Sequence, residues 1–184
     1  MSKIQRLLQS YSKHITVPWR SDAAAAQRVI FCIYDAYDEL RLQANIDEFS
    51  IATHNANHDW NLFDMTDTFA EWLSNQRYAK RYFEQPELLT PLLPKYLDFI
   101  TKKFEAFLSQ KNCINNSVIA LIGVGSLFGF IKIKDVVDKL SPLVSGRLLV
   151  FFPGSYDENN NYRLFDAYDG WNYLAVPITA NKDF

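Results

Sequence analysis

The chain alternates between short runs of apolar residues and longer stretches with helical spacing. Three uninterrupted apolar runs, rich in β-branched and aromatic residues, occupy positions 28–34, 117–122 and 147–152. Such runs are typical of strands that are buried on both faces. A further strand is predicted at about 60–63, so the pattern indicates four core strands before residue 153.

Helical spacing fills much of the sequence between these strands. Leu7, Leu8, Tyr11 and Ile15 repeat at helical intervals and predict an opening helix, which Pro18 brings to an end. Further helical segments are predicted at 38 to about 57, 66–108 and 131–140. Strands and helices that alternate in this way indicate an α/β fold.

The C-terminal segment is different, because turn-forming residues divide it into short strands. Pro153 stops the fourth strand, and a polar turn at 157–161 leads to a strand at 162–165. The dipeptide Asp169-Gly170 predicts a hairpin turn, and a last strand is predicted at 173–178.

The order of these elements predicts the architecture. Apolar strands that alternate with helices form a parallel sheet covered on both faces, and right-handed crossovers favour an open sheet. We expect an α/β fold with an open, mostly parallel, doubly wound sheet of about five strands, helices on both faces and a strand-rich C-terminal hairpin region. With 184 residues and no internal repeat or linker, the chain is predicted to be a single domain spanning residues 1–184.

Charge and cysteine content narrow the class of protein. The formal net charge is −2, and the Lys and Arg residues are scattered among the acidic ones, which disfavours autonomous nucleic-acid binding. Cys32 and Cys113 provide no disulfide framework and no metal-ligand spacing, which fits a reducing compartment. No apolar run approaches the roughly 20 residues of a membrane span. We therefore expect a soluble, cytoplasmic protein with no membrane partner.

Residues that follow the predicted strands are the first candidates for chemistry, because open α/β sheets bind ligands beyond the carboxyl ends of their strands. Asp35 and Asp64 each follow such a strand. If the two strands are neighbours, these carboxylates can hold a metal or act as acid and base. Carboxylates at strand ends also cap helices and turns, and we favour that interpretation.

The glycine-rich segment from Gly123 to Gly129 lies between a strand and a helix, where backbone amides bind phosphate in nucleotide-binding proteins. Apolar residues stand where a P-loop has Gly-Lys-Ser/Thr, and Lys132 comes too late in the chain to replace that lysine. We favour tight packing of a strand–helix turn. The alternative function is a nucleotide- or metal-dependent enzyme that uses Asp35, Asp64 and this segment.

Two further motifs are incomplete. His54 and His58 are four residues apart, a spacing that binds metal on a helix, but no Glu or Cys completes the set. A solvated helix end is the interpretation we favour. Ser126 lacks the Gly-x-Ser-x-Gly surroundings of a hydrolase nucleophile. The sequence therefore predicts no catalytic residues, no cofactor and no metal site.

Aromatic residues are concentrated near the C-terminus. Positions 160–173 hold five aromatic residues, one Arg and three amides. Tyr, Trp and Arg are the residue types that anchor protein–protein interfaces. A hairpin whose aromatic residues cover one face of a sheet explains the pattern equally well. Where their side chains remain exposed, Tyr162, Arg163 and Trp171 are the predicted partner-binding residues.

Several short segments of the sequence resemble those of a known family. They lie at 18–19, 28–35, 46–49, 62–67, 123–130 and 146–154, and above all at 160–166 and 170–178. On the basis of these segments, the chain resembles the BrxB proteins of bacterial BREX systems along essentially its full length.

The resemblance implies membership of a multi-protein apparatus that marks host DNA by methylation and blocks bacteriophage replication. Its other components include a methyltransferase, a large ATPase and a PglZ alkaline-phosphatase-like protein, and the PglZ-type protein is the direct partner that we expect. The family has no established catalytic motif. The expected function is therefore that of a non-catalytic, protein-binding component of a BREX-type defence complex, with no direct contact to nucleic acid.

Overall fold

A sheet of five parallel strands forms the centre of the protein, with the strand order β2-β3-β4-β1-β7. The computed structural model describes residues 1–111, 115–157, 159–171 and 174–180, and for Trp171 the backbone only. The strands are β1 (Val29–Tyr34), β2 (Asp59–Asp64), β3 (Ser117–Ile122), β4 (Arg147–Tyr156), β5 (Asn161–Leu164), β6 (Ala167–Trp171) and β7 (Val176–Thr179). The prediction of an open, mostly parallel α/β sheet is confirmed.

Helices cover both faces of this sheet. They are α1 (Lys3–Ile15), α2 (Glu39–Ala44), α3 (Ile46–Asn55), α4 (Thr68–Ser74), α5 (Ala79–Glu84), α6 (Leu93–Lys111) and α7 (Ile133–Leu140). None of the helices in the described ranges is both long enough and apolar enough to cross a lipid bilayer.

Strand β1 shows why the predicted apolar runs are central strands. All six of its residues are buried, because successive side chains point to opposite faces and both faces are covered. Phe31 belongs to the core under α4, α6 and α7, whereas Cys32 belongs to the core under α1, α2 and α3. The sheet is therefore doubly wound, as the sequence predicts.

Helix α1 follows its predicted pattern. Ser2 accepts a hydrogen bond from the Gln5 amide and forms a capping box, which fixes the start of the helix. The predicted apolar face is buried against the sheet, and the hydroxyls of Tyr11 and Thr53 form a hydrogen bond of 2.6 Å that ties α1 to α3. The helix ends at Ile15, three residues before Pro18.

The C-terminal region departs from the prediction in one respect. β4 runs past the parallel sheet to Tyr156 and pairs with β5, which in turn pairs with β6, both in antiparallel orientation. The hairpin turn lies at Phe165 and Asp166, with Phe165 at φ +54°, whereas Asp169 and Gly170 lie inside β6. The turn predicted at Asp169-Gly170 was therefore wrong. Gly170 stands opposite Tyr162 in the ladder.

The described part of the chain holds seven strands, which agrees with the expected parallel sheet of about five strands and a strand-rich C-terminal hairpin region. Five of them make the parallel sheet, and the two additional strands are β5 and β6 in the hairpin. Of the last predicted strand, residues 173–178, the structure has β7 at Val176–Thr179, and residue 173 lies outside the described ranges. Cys113 also lies outside them, whereas Cys32 is fully buried.

Candidate functional site

A crevice of about 810 Å³ opens at the carboxyl ends of β1, β4 and β7. This is the edge at which open α/β sheets bind ligands. Ile4 and Leu7 of α1 and Ile33 of β1 are among its apolar lining residues, whereas Asp35 and Asp166 give its rim a negative charge. The crevice is thus an amphipathic groove with an acidic rim.

Asp35 acts as a cap in this crevice. Its carboxylate accepts a hydrogen bond of 3.1 Å from the amide of Tyr37, at the start of a short 3-10 turn. Lys3 Nζ lies 3.5 Å from the other carboxylate oxygen, and both side chains are largely exposed, so this ion pair contributes little stability. The neighbouring Tyr34 hydroxyl donates to Glu39, and burial raises the pKa of Tyr34, so the phenol stays protonated. Asp35 thus holds the start of the 3-10 turn, and the Tyr34 hydroxyl is engaged by Glu39.

Asp64 lies on the other side of the sheet. Its carboxylate accepts hydrogen bonds from the backbone amide and the hydroxyl of Thr66, at 2.8 Å and 2.6 Å. Strands β3 and β4 separate β2 from β1, and three inter-strand steps amount to roughly 14 Å. A shared metal or acid–base site would require β1 and β2 to be neighbours. Because they are not, Asp35 and Asp64 do not form such a site. The capping interpretation of both carboxylates is confirmed.

The glycine-rich segment is packed rather than open. Gly123 has φ +72°, and a Cβ atom there would lie 2.3 Å from Thr66 Oγ1. At Gly125 a Cβ atom would lie 2.9 Å from the ring of Phe165. The segment continues as a four-residue 3-10 turn, and the Ser126 hydroxyl donates to the carbonyl of Gly123 at 2.7 Å. The tight-turn interpretation is confirmed, because Thr66 and Phe165 lie against Gly123 and Gly125.

The side chains of the two histidines contact different groups. His54 is exposed, and its Nδ1 lies 3.1 Å from the carbonyl oxygen of His58. The His58 ring stacks on Trp19 with centroids 3.7 Å apart, and its Nδ1 lies 2.6 Å from the side-chain oxygen of Asn116. Within the described ranges, no cluster of three or more His, Cys, Asp or Glu residues is arranged to hold a metal ion.

The predicted partner-binding residues fall into different environments. Tyr162 is 1% exposed and packs on Phe31, with ring centroids 5.0 Å apart, so its side chain belongs to the core. Arg163 is exposed on the opposite face of the hairpin. The side chain of Trp171 lies outside the described residues. The prediction applied only to side chains that remain exposed. Of Tyr162 and Arg163, whose side chains are described, only Arg163 is exposed.

The structure adds an exposed aromatic residue that the sequence analysis did not single out. Tyr168 stands directly opposite Arg163 in the β5–β6 ladder and is 46% exposed. The Lys132 ammonium lies 5.9 Å from its ring centroid. The outward face of the hairpin, defined here as Arg163 and Tyr168, thus presents an Arg and a Tyr side by side. The misplaced turn concealed this pairing, since it put Tyr168 before the turn rather than across from Arg163.

Two other large exposed side chains follow β1 in the chain, and one of them, Tyr37, lines the crevice. Tyr37 is 98% exposed and Leu40 is 79% exposed. Tyr37 lies in the short 3-10 turn after Asp35, and Leu40 lies in α2. The helical spacing of the sequence is irregular there and did not predict that these side chains are exposed.

An open parallel sheet covered by helices on both faces, with a crevice at its carboxyl edge, defines an α/β protein of the doubly wound class. The family model for BrxB, described as BREX protein BrxB, matches residues 61–178 of this sequence. The chain therefore belongs to the BrxB family and is a component of a BREX phage-defence system, which confirms the resemblance over residues 61–178. Searches of curated proteins and of solved structures found no match.

Proposed function

We propose that this protein is a non-catalytic, protein-binding component of its BREX system and that its direct partner is the PglZ-type alkaline-phosphatase-like protein. Family membership supports a role inside a multi-component apparatus. A cytoplasmic location is part of the proposal. The fully buried thiol of Cys32, whose pKa burial raises, is consistent with a reducing compartment.

The observation that carries the proposal is the outward face of the hairpin. Arg163 and Tyr168 project from paired strands, and their neighbours Tyr162 and Leu164 are buried on the inner face. Strand pairing holds the two exposed side chains at fixed positions, so little backbone entropy is lost when a partner binds. Arg and Tyr are among the residues that contribute most to binding energy at interfaces.

A non-catalytic role agrees with how the polar residues at the strand ends are used. Asp35 and Asp64 cap turns on separate parts of the sheet, and the turn at Gly123 is filled by side chains. No observation favours a nucleotide- or metal-dependent activity over partner binding, so we offer no second function.

Co-purification tests the proposal. The affinity-tagged protein is co-expressed with the PglZ-type protein of the same BREX system, captured on resin, washed at physiological salt and analysed by size-exclusion chromatography. We expect the two proteins to elute together in a stoichiometric peak. The tagged Tyr168→Ala variant, which truncates an exposed ring of the outward face, should recover less of the PglZ-type protein than the wild type does. Recovery of the PglZ-type protein only in the flow-through contradicts the proposal.

A further inference from the structure

Two arginines lie side by side at the amino-terminal edge of the sheet, at the opposite end from the crevice. Arg28 immediately precedes β1 and Arg147 begins β4, and these strands are parallel neighbours with Val29 opposite Leu148. Burial lowers the pKa of the Arg147 guanidinium, and the nearby charge of Arg28 lowers it further. The strand register therefore places the two cations at the same level of neighbouring strands.

In the described part of the chain, no carboxylate forms an ion pair with either arginine. Nε of Arg28 is buried and has no hydrogen-bond partner there, while Arg147 donates one hydrogen bond of 3.3 Å to the carbonyl of Gly146. A partly desolvated guanidinium without a counter-ion is unfavourable, because burial weakens its hydration without replacing it. An anion brought to this edge would relieve that penalty.

An aromatic side chain completes the surface. The guanidinium carbon of Arg147 lies 4.6 Å from the ring centroid of Trp19, and His58 stacks on the same indole with an interplanar angle of 7°. His14 lies nearby, and burial together with Arg147 lowers its pKa, so it adds no positive charge at neutral pH. We name this surface, consisting of Trp19, Arg28, His58 and Arg147, the arginine edge.

We propose that the arginine edge binds the carboxylate of an Asp or Glu side chain on a partner protein. The proposal rests on the protein-binding function above and supplies the chemistry of a second contact. A guanidinium presents a planar fork of N–H donors that matches a carboxylate. Arg and Trp together are typical of the central residues of protein interfaces.

A nucleic acid fits this surface less well. Backbone binding requires many cations spread along a groove, whereas the arginine edge holds two and the whole chain has a net charge of −2. His58 already stacks on Trp19, so the indole has less free surface for a base. The observations therefore favour an acidic protein segment.

The arginine edge and the outward face of the hairpin are separable. They lie toward opposite ends of β4, whose ten residues span roughly 30 Å. Substitutions on one surface leave the other in place, so binding experiments can assign a contact to each.

The test measures the affinity of the wild-type protein and of its variants for the PglZ-type protein. We expect the double variant Arg28→Gln/Arg147→Gln to bind about 30-fold more weakly. Arg147→Lys keeps the charge but loses the fork, so we expect an intermediate loss. Arg77→Gln, an equivalent change in the turn before α5, is the control and should bind as the wild type does. The melting temperature of the double variant should be unchanged or higher, because two uncompensated charges are removed.

Each alternative result has a separate meaning. If the wild type and the double variant bind equally well, the arginine edge is not a contact, although the proposed function stands. If the wild type does not bind, the proposed function and this inference both fail. If the wild type binds duplex DNA at physiological salt and the double variant does not, the edge serves phosphates and the carboxylate assignment is overturned.

Discussion

The carboxylate of Asp169, in β6, accepts a hydrogen bond of 2.8 Å from the backbone amide of Ile133, at the start of α7. Its second oxygen accepts a bond of 3.0 Å from the amide of Lys134. Asp169 is 4% exposed, and the side chain of Lys132, the N-cap residue of α7, makes no capping hydrogen bond. A residue 36 positions further along the chain therefore supplies the helix cap and joins the hairpin to α7.

We expect Asp169→Ala to lower the free energy of unfolding by about 2 kcal/mol, because it removes a cap and leaves buried amides without an acceptor. Urea denaturation measures the change. Asp166→Ala, at an exposed position in the hairpin turn, is the matched control and should stay within about 0.5 kcal/mol of the wild type. Equal effects of the two substitutions would show that the cap contributes little.

Gly123→Ala should destabilise the fold by roughly 2–4 kcal/mol. The residue has φ +72°, and the new Cβ would lie 2.6 Å from the backbone nitrogen of Thr66, which cannot move freely. Gly129→Ala is the control, because Gly129 also has a positive φ, of +82°, but a Cβ atom there would have no neighbour within 4 Å. Gly129→Ala should lower the free energy of unfolding by about 1 kcal/mol, because only the unfavourable backbone conformation contributes. Thermal unfolding of the two variants separates packing from backbone strain.

The two faces of the hairpin should respond differently to truncation. Tyr162→Ala removes a buried ring that packs on Phe31 and should lower stability by about 3–5 kcal/mol. Tyr168→Ala removes an exposed ring, so stability should change by less than about 0.5 kcal/mol. Affinity for the PglZ-type protein should fall by about 2 kcal/mol for Tyr168→Ala and for Arg163→Ala. Unimpaired binding by both variants would place the interface elsewhere.

Millimolar ATP, GTP or NAD with magnesium should leave the melting temperature unchanged. A ligand at 100 times its dissociation constant adds roughly 2.7 kcal/mol of stability, an effect that a thermal scan resolves readily. The packing of Thr66 and Phe165 against the glycine-rich turn is the reason for this expectation. A reproducible rise with one nucleotide would instead support the enzyme alternative.

Duplex and single-stranded DNA should form no stable complex with the isolated protein at physiological salt. The arginine edge holds only two cations, which can make too few phosphate contacts, and the net charge of the chain is −2. Gel-shift titration at increasing salt checks this prediction. Tight binding that weakens steeply with salt would contradict it.

The sequence by itself determined the class of fold and the family. Uninterrupted apolar runs such as the one in β1 specify buried strands, since burial on both faces requires apolar residues at every position. Helix α1 could also be predicted from the sequence, because its apolar spacing is a local property of consecutive turns. These signals extend over one element at a time, so no tertiary information was needed to interpret them.

Tertiary structure decided which residues meet. Asp35 and Asp64 leave successive strands in the chain, but crossovers place β3 and β4 between them. Asp169 has the sequence context of a turn, yet its carboxylate caps a distant helix. The pairing of Arg28 with Arg147 depends on β1 and β4 being neighbours, although the two strands are far apart in the chain. Local patterns cannot determine such contacts, because strand order is set by how helices and strands pack across the whole sheet.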